Sequence, residues 1–239
     1  MREKLLIVEN ISHEGPGLLE TLLHEQGIGF ELCDLSKGSL IPDTGRYPGV
    51  VVLGGPQSAN DTSGQILHEL QRVRETLDAG IPCLGICLGL QVMVKAAGGK
   101  VVPCRMKETG FHEPDGEPFT VRLTPEGKRD PLFRGLPDTM RVFQLHGETV
   151  VPTSGMTLLG TGKGCRQQVV RVGGNAWGLQ CHFEMTRRMF EEWTLTDPDL
   201  ISMKRDDLLA EFDRIHAGYT ETGRTILLNF LDLCGLVMH

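Results

Sequence analysis

The sequence predicts an α/β fold in which an open, mixed but mostly parallel sheet carries helices on both faces, with a helical extension at the C-terminal end. Three observations predict it. Short, unbroken apolar runs such as Leu5-Leu6-Ile7-Val8 and Val50-Val51-Val52-Leu53 have the character of strands buried on both faces. Segments with apolar residues at helical spacing alternate with these runs, and parallel strands need such crossovers. At 239 residues, 40% of them hydrophobic and 23% charged, the chain is long enough to bury a sizeable core.

Taken in order, residues 5–8 form the first strand, and Pro16 stands at the first helical position of a segment that places Leu18, Leu19, Leu22 and Leu23 on one face and stops at Gly27. Residues 30–33 read as the second strand and 50–53 as the third, which Gly54-Gly55-Pro56 cuts off. Ile66, Leu70, Val73 and Leu77 recur at helical spacing up to Gly80. Residues 82–86 form a fourth strand, followed by a helix over about 88–97 that ends at Gly98-Gly99. Beyond Lys100, short alternating segments at 119–123, 140–145, 169–172 and 176–181 predict antiparallel additions to the same sheet. The last 55 residues read as helix, with one stripe through Leu208, Leu209, Phe212 and Ile215 and another over 226–233.

Composition excludes several classes of function. Lys and Arg number 24 against 31 Asp and Glu, a net charge of −7, so no cationic excess is available to track nucleic-acid phosphates. No apolar run approaches the roughly 18 residues of a membrane helix, and the start of the chain lacks the long apolar stretch of a signal peptide; a cytoplasmic protein is expected. Seven cysteines at 33, 83, 87, 104, 165, 181 and 234 contain no C-x-x-C pair, which is neither a disulfide framework nor a zinc ribbon.

One cysteine is distinguished by its neighbours. Gly85-Ile86-Cys87-Leu88-Gly89 falls where the fourth strand yields to a helix, the setting of a nucleophile elbow. The flanking glycines leave room for a sharp turn, and free N–H groups at the helix start favour thiolate and can receive an oxyanion, beginning with that of Leu88. The competing reading is a small buried cysteine at a Gly-rich helix start. A thiol nucleophile needs a base and the base an orienting group. Two His-x-Glu pairs qualify, His146-Gly147-Glu148 and His182-Phe183-Glu184, and spacing does not choose between them. Zinc ligation by these residues lacks the compact spacing that would recommend it. Gly54-Gly55-Pro56-Gln57-Ser58 makes another turn at the same sheet edge, where a glycine permits a second backbone donor to point into a site.

Residues 52–58 (VLGGPQS), 82–91 (PCLGICLGLQ) and 178–184 (GLQCHFE) resemble, in order and spacing, the three signature blocks of class I glutamine amidotransferases. Within that family the chain is most similar to free-standing members related to the glutaminase domain of GMP synthase, with further counterparts at 107–110, 130–137 and 143–149. The resemblance implies a flavodoxin-like fold, an amidotransferase-like domain over 1–190, and a helical extension over 191–239 packed on that domain. It implies that Cys87 is the nucleophile, His182 the base and acid, and Glu184 the group that orients it, with Gly55 and Leu88 N–H groups as the oxyanion hole. It places Gly54, Gln91, His146, Gly147 and Glu148 at the substrate. The implied substrate is glutamine or a γ-glutamyl compound, with no cofactor and no metal, and the ammonia acceptor is a separate synthase, since these residues contain no G-x-x-x-x-G-K-[ST] nucleotide signature. A γ-glutamyl hydrolase or transferase and a non-catalytic regulatory module are the alternative readings. The family usually has Phe and Pro beside the third-block histidine; here Cys181 and Phe183 stand there, packing changes that also raise the question of a redox-sensitive Cys181.

Overall fold

The computed structural model describes residues 4–237; residues 1–3, part of the stretch read as lacking a leader peptide, and the last two residues of the expected helical tail lie outside them. Eleven strands and six α-helices are found among the described residues. The first half follows the expected alternation: β1 (Lys4–Glu9), α1 (Leu18–Glu25), β2 (Gly29–Asp34), β3 (Val50–Val52), α2 (Gly64–Asp78), β4 (Cys83–Ile86) and α3 (Leu88–Ala96). Then come β5 (Lys100–Gly110), β6 (Thr120–Leu123), β7 (Thr139–Arg141), β8 (Gln144–Val151), β9 (Met156–Thr161), β10 (Val169–Val172) and β11 (Ala176–Leu179). The chain closes with α4 (Arg187–Thr196), α5 (Pro198–Ile201) and α6 (Arg205–Leu233).

Nine strands form one sheet in the order β2-β1-β3-β4-β11-β10-β9-β6-β7. The first five run parallel to their neighbours and the rest antiparallel. Alternation along β1 shows why helices are needed on both sides. Leu5 and Ile7 enter a core with Leu19 and Leu22 of α1 and Ile226, Leu227 and Phe230 of α6. Leu6 and Val8 enter the opposite core with Ile66 and Val73 of α2 and Leu90 and Val92 of α3. Each such side chain contributes about 1.5–3 kcal/mol when fully buried, so neither face of the sheet tolerates solvent.

The structure departs from expectation in four places, three of them in the second half. The segment at 176–181 is not an antiparallel addition: β11 pairs parallel with β4 and antiparallel only with β10, because it returns to the sheet centre rather than to its edge. The 140–145 segment divides into β7, which joins the main sheet, and β8, which leaves it to form a separate two-stranded sheet with β5. Neither β5 nor β9 was read from the sequence; β5 is largely exposed and polar along its middle, so its apolar alternation is weak. Pro16 lies outside α1, whose N-cap is Gly17 at φ 50°. A Cβ there would meet the Glu184 carbonyl oxygen at 2.4 Å and Met189 Sδ at 2.1 Å, so close packing rather than proline sets the helix start.

The two C-terminal stripes belong to one helix. At 29 residues α6 is about 44 Å long. Its first half packs Leu208, Phe212 and Tyr219 into an aromatic cluster with Phe143, Phe190 and Trp193, and its second half covers the sheet. No helix among the described residues is long and apolar enough to cross a membrane.

Candidate active site

Cys87 stands between β4 and α3 at φ 53° and ψ −107°, and it is the one non-glycine residue with positive φ among the described residues. Such a conformation costs on the order of 1–3 kcal/mol and persists only where the surroundings enforce it. The enforcing contacts are visible. A Cβ on Gly85 would come within 2.5 Å of the Gly89 carbonyl group, and one on Gly89 within 2.1 Å of the Val52 carbonyl oxygen. Cys87 N–H donates to Leu179 O at 2.7 Å, which ties the elbow to β11. The turn therefore lifts the thiol above the carboxyl ends of β3, β4 and β11, where open α/β sheets place ligands.

The chain leaving β11 brings His182 and Glu184 to the thiol. His182 Nδ1 and Glu184 Oε1 are 2.7 Å apart, both side chains almost wholly buried. The Cys87 thiol lies close enough to act on the same ring, and its Sγ stands 3.8 Å from Leu145 O and from Gln180 Nε2. Burial opposes charge on His182, but the Glu184 carboxylate and the Cys87 thiol outweigh it and hold the imidazole well above its ordinary range. The segment is not a regular strand, yet the i, i+2 spacing still sets both side chains on one side, held by His182 N–H donating to Phe143 O at 3.2 Å. Trp193 meets the ring edge-on with centroids 5.0 Å apart, Tyr219 Oη donates to His182 O, and Trp193 Nε1 donates to His13 O at 2.9 Å.

Cys181 and Phe183 are both fully buried. Phe183 stacks on Tyr219, and burial raises the Cys181 thiol well above its usual range, which fits a packing role for Cys181.

His146 behaves differently from His182, although each begins a His-x-Glu pair. Its Nε2 lies 3.0 Å from Glu108 Oε2, not from its own Glu148, and its Nδ1 lies 3.0 Å from Glu148 O. The Glu148 carboxylate accepts instead from Ser58 Oγ at 2.7 Å. The backbone at 145–148 forms one wall of a cleft of about 370 Å³ that also exposes Gly55, Cys87, Leu88, Gln91 and His182. Gln91 Nε2 donates to Glu148 O at 3.2 Å. Gly54 is closed in beneath the thiol: a Cβ there would meet Glu14 Oε2 at 2.8 Å, His182 Cε1 at 3.2 Å and Cys87 Cβ at 3.6 Å. All ten residues singled out in the sequence thus converge on one cleft or its immediate floor.

Further contributors were given no role by the sequence. Asn10 Nδ2 donates to Leu53 O at 3.3 Å and to Glu69 Oε1 at 3.0 Å, bracing the turn that carries Gly54 and Gly55. Burial pushes the Glu69 carboxyl up to about 7, against the donation from Asn10. Glu14 reaches the cleft from the loop after β1. Its carboxyl is pushed up to about 7, first by burial, with His182 opposing and Glu184 and Asp197 adding. Lys107 comes from the β5 excursion and pairs with Asp199 at the cleft rim. Periodicity could not have found these residues, because each acts through a contact made between distant segments.

The mixed, mostly parallel α/β sheet thus sets a cysteine elbow at its carboxyl edge, facing a buried imidazole–carboxylate pair. The model of the class-I glutamine amidotransferase family matches residues 22–197, and the chain belongs to that family. It is 28% identical over 239 residues to a GMP synthase (glutamine-hydrolyzing) of Porphyromonas gingivalis, an alignment covering 99% of this chain and 37% of that enzyme. It is 26% identical over 145 residues to a gamma-glutamyl-L-1-hydroxyisopropylamide hydrolase of a Pseudomonas species, covering 59% of this chain and 48% of that one. The chain thus spans about half or less of the length of these relatives. Among solved structures, a glutamine amidotransferase from Thermotoga maritima superposes with a TM-score of 0.85 at 27% identity, over 97% of this chain and 99% of that one.

Proposed function

We propose that the chain hydrolyses the γ-carboxamide of glutamine through a γ-glutamyl thioester on Cys87 and releases ammonia. The observation that carries this reading is the line Cys87–His182–Glu184, in which the thiol meets a ring whose far nitrogen is 2.7 Å from a buried carboxylate. The Cys87 thiolate attacks the carbonyl carbon of the γ-carboxamide, and His182 gives its proton to the departing ammonia. Water then cleaves the thioester, with His182 taking a proton from it. Glu184 keeps the ring in the required orientation and supports its positive charge. Backbone N–H groups of Gly55 and Leu88 receive the oxyanion in each step, where removal of one such donor costs about 100- to 1,000-fold in rate. Gln91 and the 146–148 segment hold the amino-acid end of the substrate. Ammonia passes to a separate synthase, as the glutamine-hydrolysing relative suggests.

A second reading, a γ-glutamyl hydrolase or transferase acting on conjugates, has its own support. Glu148, Asp197 and Asp199 line the cleft against Lys107 and the His182 ring, and Glu14 adds a carboxyl raised to about 7; this acidic balance suits a γ-glutamyl conjugate whose amine carries a positive charge. Turnover of glutamine and of a panel of γ-glutamyl amides by the purified protein separates the two. Turnover of conjugates with glutamine untouched would overturn the first. Labelling by diazo-oxo-norleucine on any residue other than Cys87, or full turnover by Cys87→Ser, would overturn both.

A further inference from the structure

Behind the wall of the cleft, Cys104, His146 and Cys165 bring two sulfurs and one ring nitrogen to within 4.8 Å of one another. They come from three separate segments, β5, β8 and the loop after β9, so the grouping has no sequence spacing to announce it. We infer that these three side chains form a binding site for a thiophilic divalent cation of the zinc type, distinct from the Cys87 line.

The first support is distance. Tetrahedral zinc with Zn–S near 2.3 Å and Zn–N near 2.0–2.1 Å sets sulfur and nitrogen about 3.5 Å apart. Cys104 Sγ and His146 Nδ1 stand 3.5 Å apart. The second support is the group behind the ring. A metal-bound histidine characteristically donates its other N–H to a carboxylate, which fixes both tautomer and orientation. Here His146 Nε2 is 3.0 Å from Glu108 Oε2, an acceptor suited to the Nε2–H, while Nδ1, now 3.0 Å from Glu148 O, exchanges that contact for the cation in order to ligate. Glu108 is itself held, by Gln168 Nε2 at 3.1 Å and by the Cys165 N–H donating to Oε1 at 2.6 Å. One buried carboxylate therefore positions the nitrogen ligand and the backbone of a sulfur ligand together.

The third support is access. Cys104, Glu108, Thr149 and Cys165 line a cavity of about 500 Å³, and Cys104 is partly exposed, which leaves a fourth coordination position for water. Binding moves the proton of each thiol to solvent, and the two thiolate charges balance the cation. The fold also supplies a reason for the ligands to meet. The β5–β8 register jumps between Pro103, opposite Glu148, and Glu108, opposite His146, so residues 104–107 bulge against Gly147 alone. Cys104 begins that bulge and Lys107, at the rim of the cleft, ends it. A cation on Nδ1 replaces the 3.0 Å contact of that nitrogen with Glu148 O, while Gln91 Nε2 remains as a donor to the same carbonyl. The site thus clamps the bulge to β8 and leaves the Cys87 line free.

The test uses the full chain, reduced with a phosphine and stripped of metal, titrated with Co²⁺ alone and then with Zn²⁺ in competition. The expected result is one equivalent of Co²⁺ with a thiolate-to-cobalt charge-transfer band that Zn²⁺ abolishes. Cys87→Ser, which removes the other thiol–imidazole pair, keeps the band. Cys104→Ser and Cys165→Ser, each checked by circular dichroism, lose the band and weaken the metal at least 100-fold; Cys104, partly exposed, provides the test should Cys165→Ser fail to fold. Absence of the band in the reduced chain, its survival in Cys104→Ser, or its loss in Cys87→Ser overturns the proposal. So does a Cys104–Cys165 disulfide in the isolated protein whose reduction restores no metal uptake.

Discussion

Glu184 Oε1 stands 2.7 Å from His182 Nδ1, and the carboxylate leads the influences that hold the imidazole well above its ordinary range against the cost of burial. Replacing it by the isosteric amide in Glu184→Gln removes that charge and lowers the folded-state pKa of His182. The acid form needed by the leaving amine is then lost at lower pH. The expected outcome is a fall in kcat/KM on the order of 10,000-fold, comparable to triads deprived of their carboxylate, with the alkaline limb of the pH–rate profile displaced to lower pH. An unmoved limb would show that another group sets the protonation of His182.

The two His-x-Glu pairs separate by substitution. His182→Asn is expected to abolish turnover, whereas His146→Asn, which frees Glu108 from its ring contact, is expected to raise KM and lower thermal stability while retaining measurable kcat. Steady-state kinetics on both variants decides this. Equal loss of kcat in the two would refute the separation.

The glycine behind the elbow is a matter of space rather than flexibility. Gly89 approaches the Val52 carbonyl so closely that an added Cβ would lie 2.1 Å away. Gly89→Ala must push α3 off β3, and a loss of at least about 3 kcal/mol is expected, at the upper end of overpacking costs. Urea denaturation measures it; a change below about 1 kcal/mol would mean that the helix yields freely.

Glu69 gives a pH-dependent prediction. Its carboxyl is raised from 4.5 to about 7 in the folded chain, so the unfolded chain releases the proton first as pH rises. The stabilisation is complete below about pH 4.5, declines between 4.5 and 7, and is absent above. Glu69→Gln removes this dependence while preserving an acceptor for Asn10. The variant is expected to match the parent near pH 4 and exceed it by up to about 3 kcal/mol at pH 8, visible as a higher Tm only at the alkaline end. A pH-independent difference would show that Glu69 is ionised in the fold.

Tyr219 Oη donates to His182 O from the middle of α6. Tyr219→Phe keeps the stack on Phe183 and removes one hydrogen bond, at about 1 kcal/mol. The expected change is a several-fold drop in kcat with KM unaltered, since the ring loosens but the cleft wall does not.

How much of this was legible in the sequence depends on the range of the signal. Strands β1, β3 and β4 and helices α1 to α3 announce themselves by local periodicity, and the elbow by the Gly85–Cys87–Gly89 spacing. The destination of β11 did not, because parallel pairing with β4 is decided by contacts across some 90 residues. The excursion of β5 was hidden by its polar middle. The pairing of His146 with Glu108 was likewise hidden, since local spacing offers Glu148 first and only the β5–β8 bulge shows that another carboxylate lies nearer. Asn10 and Glu14 sit in a loop whose residues look like ordinary turn formers until β3 and β11 are set beside them.

The hydrogen bond from Cys87 N–H to Leu179 O has a consequence for how the protein tolerates change. The thiol and the imidazole hang from neighbouring strands, β4 and β11, whose separation is the fixed 4.7–4.9 Å of any ladder. Their approach is therefore metered by main-chain geometry, which every residue type shares. Side chains elsewhere can be exchanged wholesale without altering that gauge, and a structure 27% identical in sequence accordingly keeps a TM-score of 0.85.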